Sequence, residues 1–220
     1  MKVLVFTSSY NRPHMLRQCI LNAKNQTYKK FKHGINVTSD KEDLQNYVTL
    51  IDDIYVPNKM GLIHSTNSHT HFNNMLAIKQ FRNYDKYDLF IKMDDDDIYK
   101  ASYVENIVNM FKADPTIDIT SSKIRYQLNG HKLYADEELY DNLGGNPGKS
   151  TYHMPMTFAF NKRAFDVIKN LEQKDVFGGD DMMWRMHWEA HGLKHVSVDN
   201  ADEIIWHIHG KNDSTASFLK

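Results

Sequence analysis

The sequence predicts a single α/β domain, a mostly parallel sheet flanked by helices. Short β-rich apolar runs alternate with stretches of helical periodicity along the chain. The stretch from Ser68 to Tyr84, with Phe72, Leu76, Ile78 and Phe81 at helical spacing, leads into the strand "YDLFIKM" (87–93), which makes a crossover unit of the kind parallel strands require. No linker, internal repeat or low-complexity tail divides the 220 residues, a length that one core can serve without staples.

The elements follow in order. "KVLVFTS" (2–8) is a β-rich run. "PHMLRQCILNAKNQ" (13–26) is a helix, because Pro13 suits a first turn and Leu16, Ile20 and Ala23 share a face. Cys19 lies among those three and reads as a small buried hydrophobe; as the single cysteine it rules out an internal disulfide framework and fits a reducing compartment. "HGINVTS" (33–39) and "VTLIDDIYV" (48–56) read as the second and third strands. "SYVENIVNMFKAD" (102–114) is the clearest helix, its stripe of Val104, Ile107, Val108 and Phe111 ending before Pro115. "TIDITSS" (116–122) is a strand and "YDNLGGNPGKSTY" (140–152) a loop, within which Gly144 to Lys149 is a candidate lid. "HMPMTFAF" (153–160) is extended, and "KRAFDVIKNLEQ" (162–173) and "DDMMWRMHWEAHG" (180–192) are helices, the second stopping at Gly192. "HVSVD" and "EIIWHIHG" close the chain as strands. Trp184 and Trp188, one turn apart, are expected in the core, while His64, His69 and His71 read as surface or capping groups.

Lys and Arg number 27 against 28 Asp and Glu, so no global basic field invites nucleic acid and any binding chemistry is local. "MKVLVFTSSY" is too short for a signal segment, and no later run reaches the length of a membrane span. The expectation is a soluble cytoplasmic protein without a transmembrane segment, with peripheral membrane contact left open.

Against that near-neutral balance, "IKMDDDDIY" (91–99) sets Asp94, Asp95, Asp96 and Asp97 in a row behind an apolar strand. Neighbouring carboxylates repel by about 1 kcal/mol per pair even in water. In open α/β sheets ligands gather beyond the carboxyl ends of strands, and strand-end carboxylates suit a hard cation such as Mg²⁺ or Mn²⁺ shared with substrate phosphates. A solvated charge run is the alternative. An EF-hand fails because it needs Gly where Tyr99 stands and an oxygen ligand where Ile98 stands; a phosphatase-type nucleophile also fails at Ile98. "WHIHG" (206–210) adds His207 and His209, two apart and on one side of a regular strand.

Three segments together resemble the family 2 glycosyltransferases. "VLVFTSSYNRP" is similar to their opening strand and loop, "MDDDD" to their Asp-x-Asp motif, and "GGDDMMWRMHWEAHG" to their acceptor-side acidic motif, including its Ala190-His191-Gly192 ending. The resemblance implies a GT-A fold, a Rossmann-like single domain over 1–220, with the nucleotide-sugar half at about 1–100 and the acceptor half at about 101–220. It also implies inverting chemistry: a carboxylate takes the acceptor hydroxyl's proton as that oxygen displaces a nucleoside diphosphate held by Mn²⁺ or Mg²⁺.

By position in the family pattern, Thr7 and Tyr10 match contacts to the base and ribose; Lys211, or Arg12 near that loop, is a candidate to pair with diphosphate oxygens, with a surface cation as the alternative for each. Asp40 matches a carboxylate that binds uracil or ribose, although Thr38-Ser39-Asp40-Lys41 departs from the family's Asp-Asp-x-Ser and Asp40 serves equally as a helix N-cap. Asp94 and Asp96 fall at the Asp-x-Asp positions: Asp96 as metal ligand, Asp94 as ligand or as a contact to ribose or a metal-bound water. Asp95 or Asp97 shares either role. Asp181 matches the general base and Asp180 a residue that positions the acceptor; acids favoured by a helix N-terminus are the alternative. His209, in preference to His207, matches a further metal ligand.

The implied function is metal-dependent hexosyl transfer from a UDP-sugar to an acceptor hydroxyl on a glycan, lipid-linked or protein partner. A nucleotidyltransferase is the alternative enzyme, although "TSSYNRP" lacks the glycines that would cradle a triphosphate. A non-catalytic nucleotide- or carbohydrate-binding domain is the third reading.

Overall fold

Val3, Leu4, Val5 and Phe6 are all buried, as a continuous apolar run must be when a parallel strand is covered on both faces. In the computed structural model they open β1 (Val3–Tyr10), the strand around which the sheet is laid out. The structure describes residues 1–39, 41–54, 56, 59–66, 69–122, 126–129, 132–135, 157–172, 180–198 and 204–208, with 41–43, 126–129, 132–135, 180–182 and 206–208 as backbone only.

After β1 come α1 (Pro13–Asn25), β2 (Phe31–Thr38), α2 (Lys41–Ile51), β3 (Met60–Ser65), α3 (Thr70–Lys79) and β4 (Leu89–Lys92). Then follow β5 (Ile98–Tyr99), α4 (Tyr103–Ala113), β6 (Ile119–Ser122), β7 (Tyr126–Asn129) and β8 (Lys132–Ala135). The last described elements are β9 (Ala159–Asn161), α5 (Lys162–Ile168), α6 (Asp180–Ala190), β10 (His195–Val198) and β11 (Ile204–Ile208). Seven strands form the main sheet in the order β10-β6-β9-β4-β1-β2-β3, and β5-β11-β7-β8 form a smaller one. β1 pairs parallel with β2 and β4, β2 with β3, and β6 with β10; β9 alone in the main sheet runs antiparallel, against β4 and β6.

α4 presents Val104, Ile107, Val108 and Phe111 to one face of the sheet, joined by Val5, Ile91 and Ala159. On the opposite face α3, α5 and α6 enclose an aromatic core in which Phe90 stacks on Phe165 at 4.3 Å between ring centroids. Trp184 and Trp188 are buried there, as expected. Trp184 Nε1 donates to His71 Nδ1 at 2.9 Å and Trp188 Nε1 to the Ala164 carbonyl at 3.0 Å, which ties α6 to α3 and α5. α3 lies so close on β2 that a Cβ built on Gly34 would fall 1.9 Å from the Ala77 carbonyl oxygen. Gly192, at φ +62°, takes the left-handed conformation that ends α6.

The expected strand at 48–56 is a correction. Tyr47, Ile51 and Ile54 are buried at helical spacing around and within that stretch, on α2 and the turn after it, while Val48 is 42% exposed. The β-branched composition of "VTLIDDIYV" hides a helical period. The third parallel strand is β3, absent from the sequence expectation, as are β5, β7 and β8. His71 is buried rather than a surface group, and His64 lies half-buried in β3, its Nε2 2.9 Å from the Ser39 carbonyl oxygen. The loop 140–152 with its candidate lid, and residues 153–156, lie outside the described residues.

Candidate active site

β1, β2, β3 and β4 all point the same way, so their carboxyl ends form one pole of the sheet. The acidic run leaves that pole directly from β4. Met93 is pinned beneath it: its N–H donates to the Phe6 carbonyl at 3.0 Å and its carbonyl accepts from Thr7 Oγ1 at 2.7 Å. Beyond Met93 the chain turns, and the four carboxylates part company. Those of Asp94, Asp96 and Asp97 each bring an oxygen within 4.8 Å of the other two. Asp95 goes inward, buried against β1, where Ser9 Oγ donates to its Oδ2 at 2.6 Å.

The repulsion is answered by two cations. At the end of β1, Asn11 adopts φ +49°, a left-handed turn that asparagine tolerates, and Arg12 comes back over the run. The Arg12 guanidinium bridges two aspartates, Nη2 at 2.7 Å from Asp95 Oδ1 and Nη1 at 2.6 Å from Asp96 Oδ2. Lys92 Nζ lies 3.2 Å from Asp94 Oδ1. Burial pushes the Asp95 carboxyl up to about 7, against the opposing pull of Arg12. Tyr47 Oη holds this corner, accepting from the Arg12 backbone N–H at 2.6 Å and lying 3.0 Å from Ser9 Oγ.

Several expected site residues are placed differently. Thr7 is fully buried, with its hydroxyl against His33 Nε2 at 2.9 Å and the Met93 carbonyl, so it supports the acidic run from below. Asp95 is a buried partner of Arg12 rather than a ligand-facing group, and Arg12 is engaged by carboxylates. Tyr10 stands at the lip of the pole, 59% exposed. Sequence reasoning missed Ser9 and Tyr47, because only the strand pairing and the α1–α2 contact bring them to Asp95. It also missed a polar layer under the pole in which Ser8 Oγ donates to Asn74 Oδ1 at 2.6 Å and Ser65 Oγ to Asn73 Oδ1 at 2.8 Å. Asparagines on a helix starting just beyond the sheet were the available signal.

Topology brings two further segments to this pole. α6 precedes β10, which runs parallel to β6, so α6 descends past the sheet with its first residues, Asp180 and Asp181, at the carboxyl end. The Trp184–His71 bond fixes that descent against the first turn of α3, which starts at the same pole. β11 pairs antiparallel with β5, Ile204 opposite Tyr99 and Ile205 opposite Ile98. Asp40 and His209 lie outside the described residues.

A family model for glycosyl transferase family 2 matches residues 4–170. The structure is similar to residues 1–349 of TarS from S. aureus in complex with UDP, with a TM-score of 0.67 and 13% identity over 96% of this chain and 61% of that one. It is similar to the mannosyltransferase PcManGT from Pyrobaculum calidifontis in complex with GDP-Man and Mn²⁺, with a TM-score of 0.68 and 14% identity over 97% of this chain and 59% of that one. The chain thus spans about three fifths of the length of these solved structures. No curated protein sequence matches it. At such identities the likeness shows the fold, which is GT-A. The acidic start of α6 lies beyond the matched residues, whereas the opening strand, the acidic run and the whole parallel half of the sheet lie within them, and on that match the chain belongs to glycosyl transferase family 2.

Proposed function

We propose that the protein transfers a hexose from a UDP-sugar to an acceptor hydroxyl with inversion, using a divalent cation. The observation that carries this reading is the cluster of Asp94, Asp96 and Asp97 carboxylates just past β4, at the carboxyl pole of the parallel strands. An all-oxygen donor set within 4.8 Å suits Mn²⁺ or Mg²⁺, and a guanidinium bridging Asp95 and Asp96 supports the view that the pocket is built to hold positive charge. Asp96, Asp94 and Asp97 would hold the cation, with His209 and His207 as candidates for a further ligand. When bound, the cation neutralises charge developing on the departing diphosphate.

The chain's own residues do the rest. Asp181 accepts the proton of the acceptor hydroxyl, while Asp180 orients the acceptor. Tyr10 and Asp40 contact the nucleotide, which assigns residues of about 1–100 to the donor and of about 101–220 to the acceptor. Arg12 sits within reach of a diphosphate laid over Asp96. TarS has been solved with UDP and with UDP-GlcNAc and PcManGT with GDP-Man and Mn²⁺, which supports the nucleotide-sugar class of donor.

Calorimetric titration of Mn²⁺ with UDP into wild type and Asp96→Ala tests the reading. Metal-dependent UDP binding is expected for the wild type alone; equal binding by both proteins defeats the cation assignment. Turnover of a panel of nucleotide-sugars by donor hydrolysis then identifies the sugar.

A further inference from the structure

The amino ends of the same strands form the opposite pole, and its chemistry is the reverse. Lys2 precedes β1, Lys29 and Lys30 precede β2, Lys32 is its second residue, Lys59 precedes β3 and Lys86 precedes β4. All six line one groove of about 750 Å³. No arginine lines it, and among the described residues none of the six forms an ion pair. The nearest acids in sequence are Asp85 and Asp88, and Asp88 Oδ2 already accepts from the Lys2 backbone N–H at 2.6 Å.

Beside the groove, and sharing Lys29, Phe31 and Lys59 with it, is a pocket of about 260 Å³. Ile20, Ala23, Phe31 and Met60 give it an apolar wall, and Lys24, Lys29 and Lys59 surround it. Lys29 Nζ donates to the Lys24 carbonyl at 2.8 Å, which holds that ammonium beside the pocket. The pole thus combines a field of cations with an apolar slot.

We propose that this pole is a docking surface for an anionic lipid bilayer. Ammonium groups are hydrated point charges that suit a diffuse sheet of phosphates, whereas a site for one particular phosphate would favour the bidentate fork of arginine. The apolar slot matches the boundary between headgroups and acyl chains. A nucleic-acid groove would present open aromatic faces for stacking, and here Phe31 and Tyr87 are half-buried. No described helix is long and apolar enough to span a membrane, so the contact is peripheral. β1 has eight residues, which at about 3.3 Å each puts the acidic pole roughly 25 Å from the bound surface, facing away from it.

Co-sedimentation of the intact chain with vesicles tests the proposal, using neutral phosphatidylcholine and mixtures with about 30 mol % phosphatidylglycerol. Binding is expected only to the anionic vesicles at about 0.1 M salt and is expected to be lost near 0.5 M, where screening is short-ranged. Each lysine near an anionic surface is worth roughly a fivefold partition effect, so Lys29→Gln/Lys30→Gln/Lys59→Gln should bind about 100-fold more weakly. The control Lys112→Gln/Lys194→Gln should bind as wild type does, with all proteins melting alike. No binding to anionic vesicles, equal binding by the triple variant, or tighter binding of a single-stranded oligonucleotide than of anionic vesicles at the same salt would each overturn it.

Discussion

The two ends of one sheet carry opposite charge. At the carboxyl ends of β1 to β4 four aspartates crowd together, held by Arg12 and Lys92; at the amino ends six lysines stand without ion-pair partners among the described residues. The formal net charge of −1 averages these into apparent neutrality. What differs is how each end manages its charge. The acidic end is partly buried and internally compensated, so its groups are coupled and directional. The basic end is exposed and uncompensated, so it acts as a field. The first arrangement suits chemistry on a bound ligand, and the second suits contact with a charged surface.

Ways to break this contrast can be ranked by expected effect. Asp181→Asn should lower sugar transfer by about 10³-fold while leaving UDP affinity unchanged, because it removes only the proton acceptor. Steady-state transfer assays with calorimetry decide this, and normal turnover removes Asp181 from that role.

Arg12→Met should destabilise the fold by about 3 kcal/mol in urea denaturation, since it leaves Asp95 buried without its cation. A loss below about 1 kcal/mol would mean that Ser9 alone satisfies Asp95.

Next in size is a pH effect seated between the poles. Burial lowers the His33 imidazole from its ordinary 6.5 to about 3. Between those values the unfolded chain takes up a proton that the folded chain refuses, so stability is complete above about 6.5 and falls as pH drops toward 3. His33 should contribute a loss of about 2 kcal/mol between pH 7 and 4.5, opposed by the raised Asp95 carboxyl, which gains a proton in the folded state over the same range, so the His33 share is read as the difference between wild type and His33→Gln in denaturant titrations. An unchanged slope would locate the acid sensitivity elsewhere.

The smallest expected effect sharpens the contrast most. The lysine triple variant should hydrolyse a soluble UDP-sugar within about twofold of wild type, because its charges lie more than a Debye length from the acidic pole. A larger change would show that the two ends are coupled.

Much of the fold was legible because periodicity survives context. The stripe of Val104, Ile107, Val108 and Phe111 allows one helix, and the VLVF run allows one doubly covered strand. The misreading of 48–56 has a definite cause: its β-branched residues favour a strand locally, and only packing against α1 selects the helical set Tyr47, Ile51 and Ile54. The need for a counter-charge was legible too, since four consecutive aspartates after an apolar strand demand compensation wherever they fold. Their division of labour was not. Whether an aspartate faces the pocket or the core depends on the turn after Met93, on the left-handed Asn11, and on Ser9 and Tyr47 arriving from distant parts of the chain.

The sequence by itself therefore determined a parallel α/β domain with acids at a strand end, because hydrophobic period and charge repulsion are local properties of the chain. Only the tertiary structure decided that Thr7 and Asp95 lie inside, that Asp97 joins Asp94 and Asp96, and that lysines from four separate segments share the far pole. Those outcomes depend on which strands lie side by side and in what direction, and that is settled by burying side chains far apart in the chain against one another.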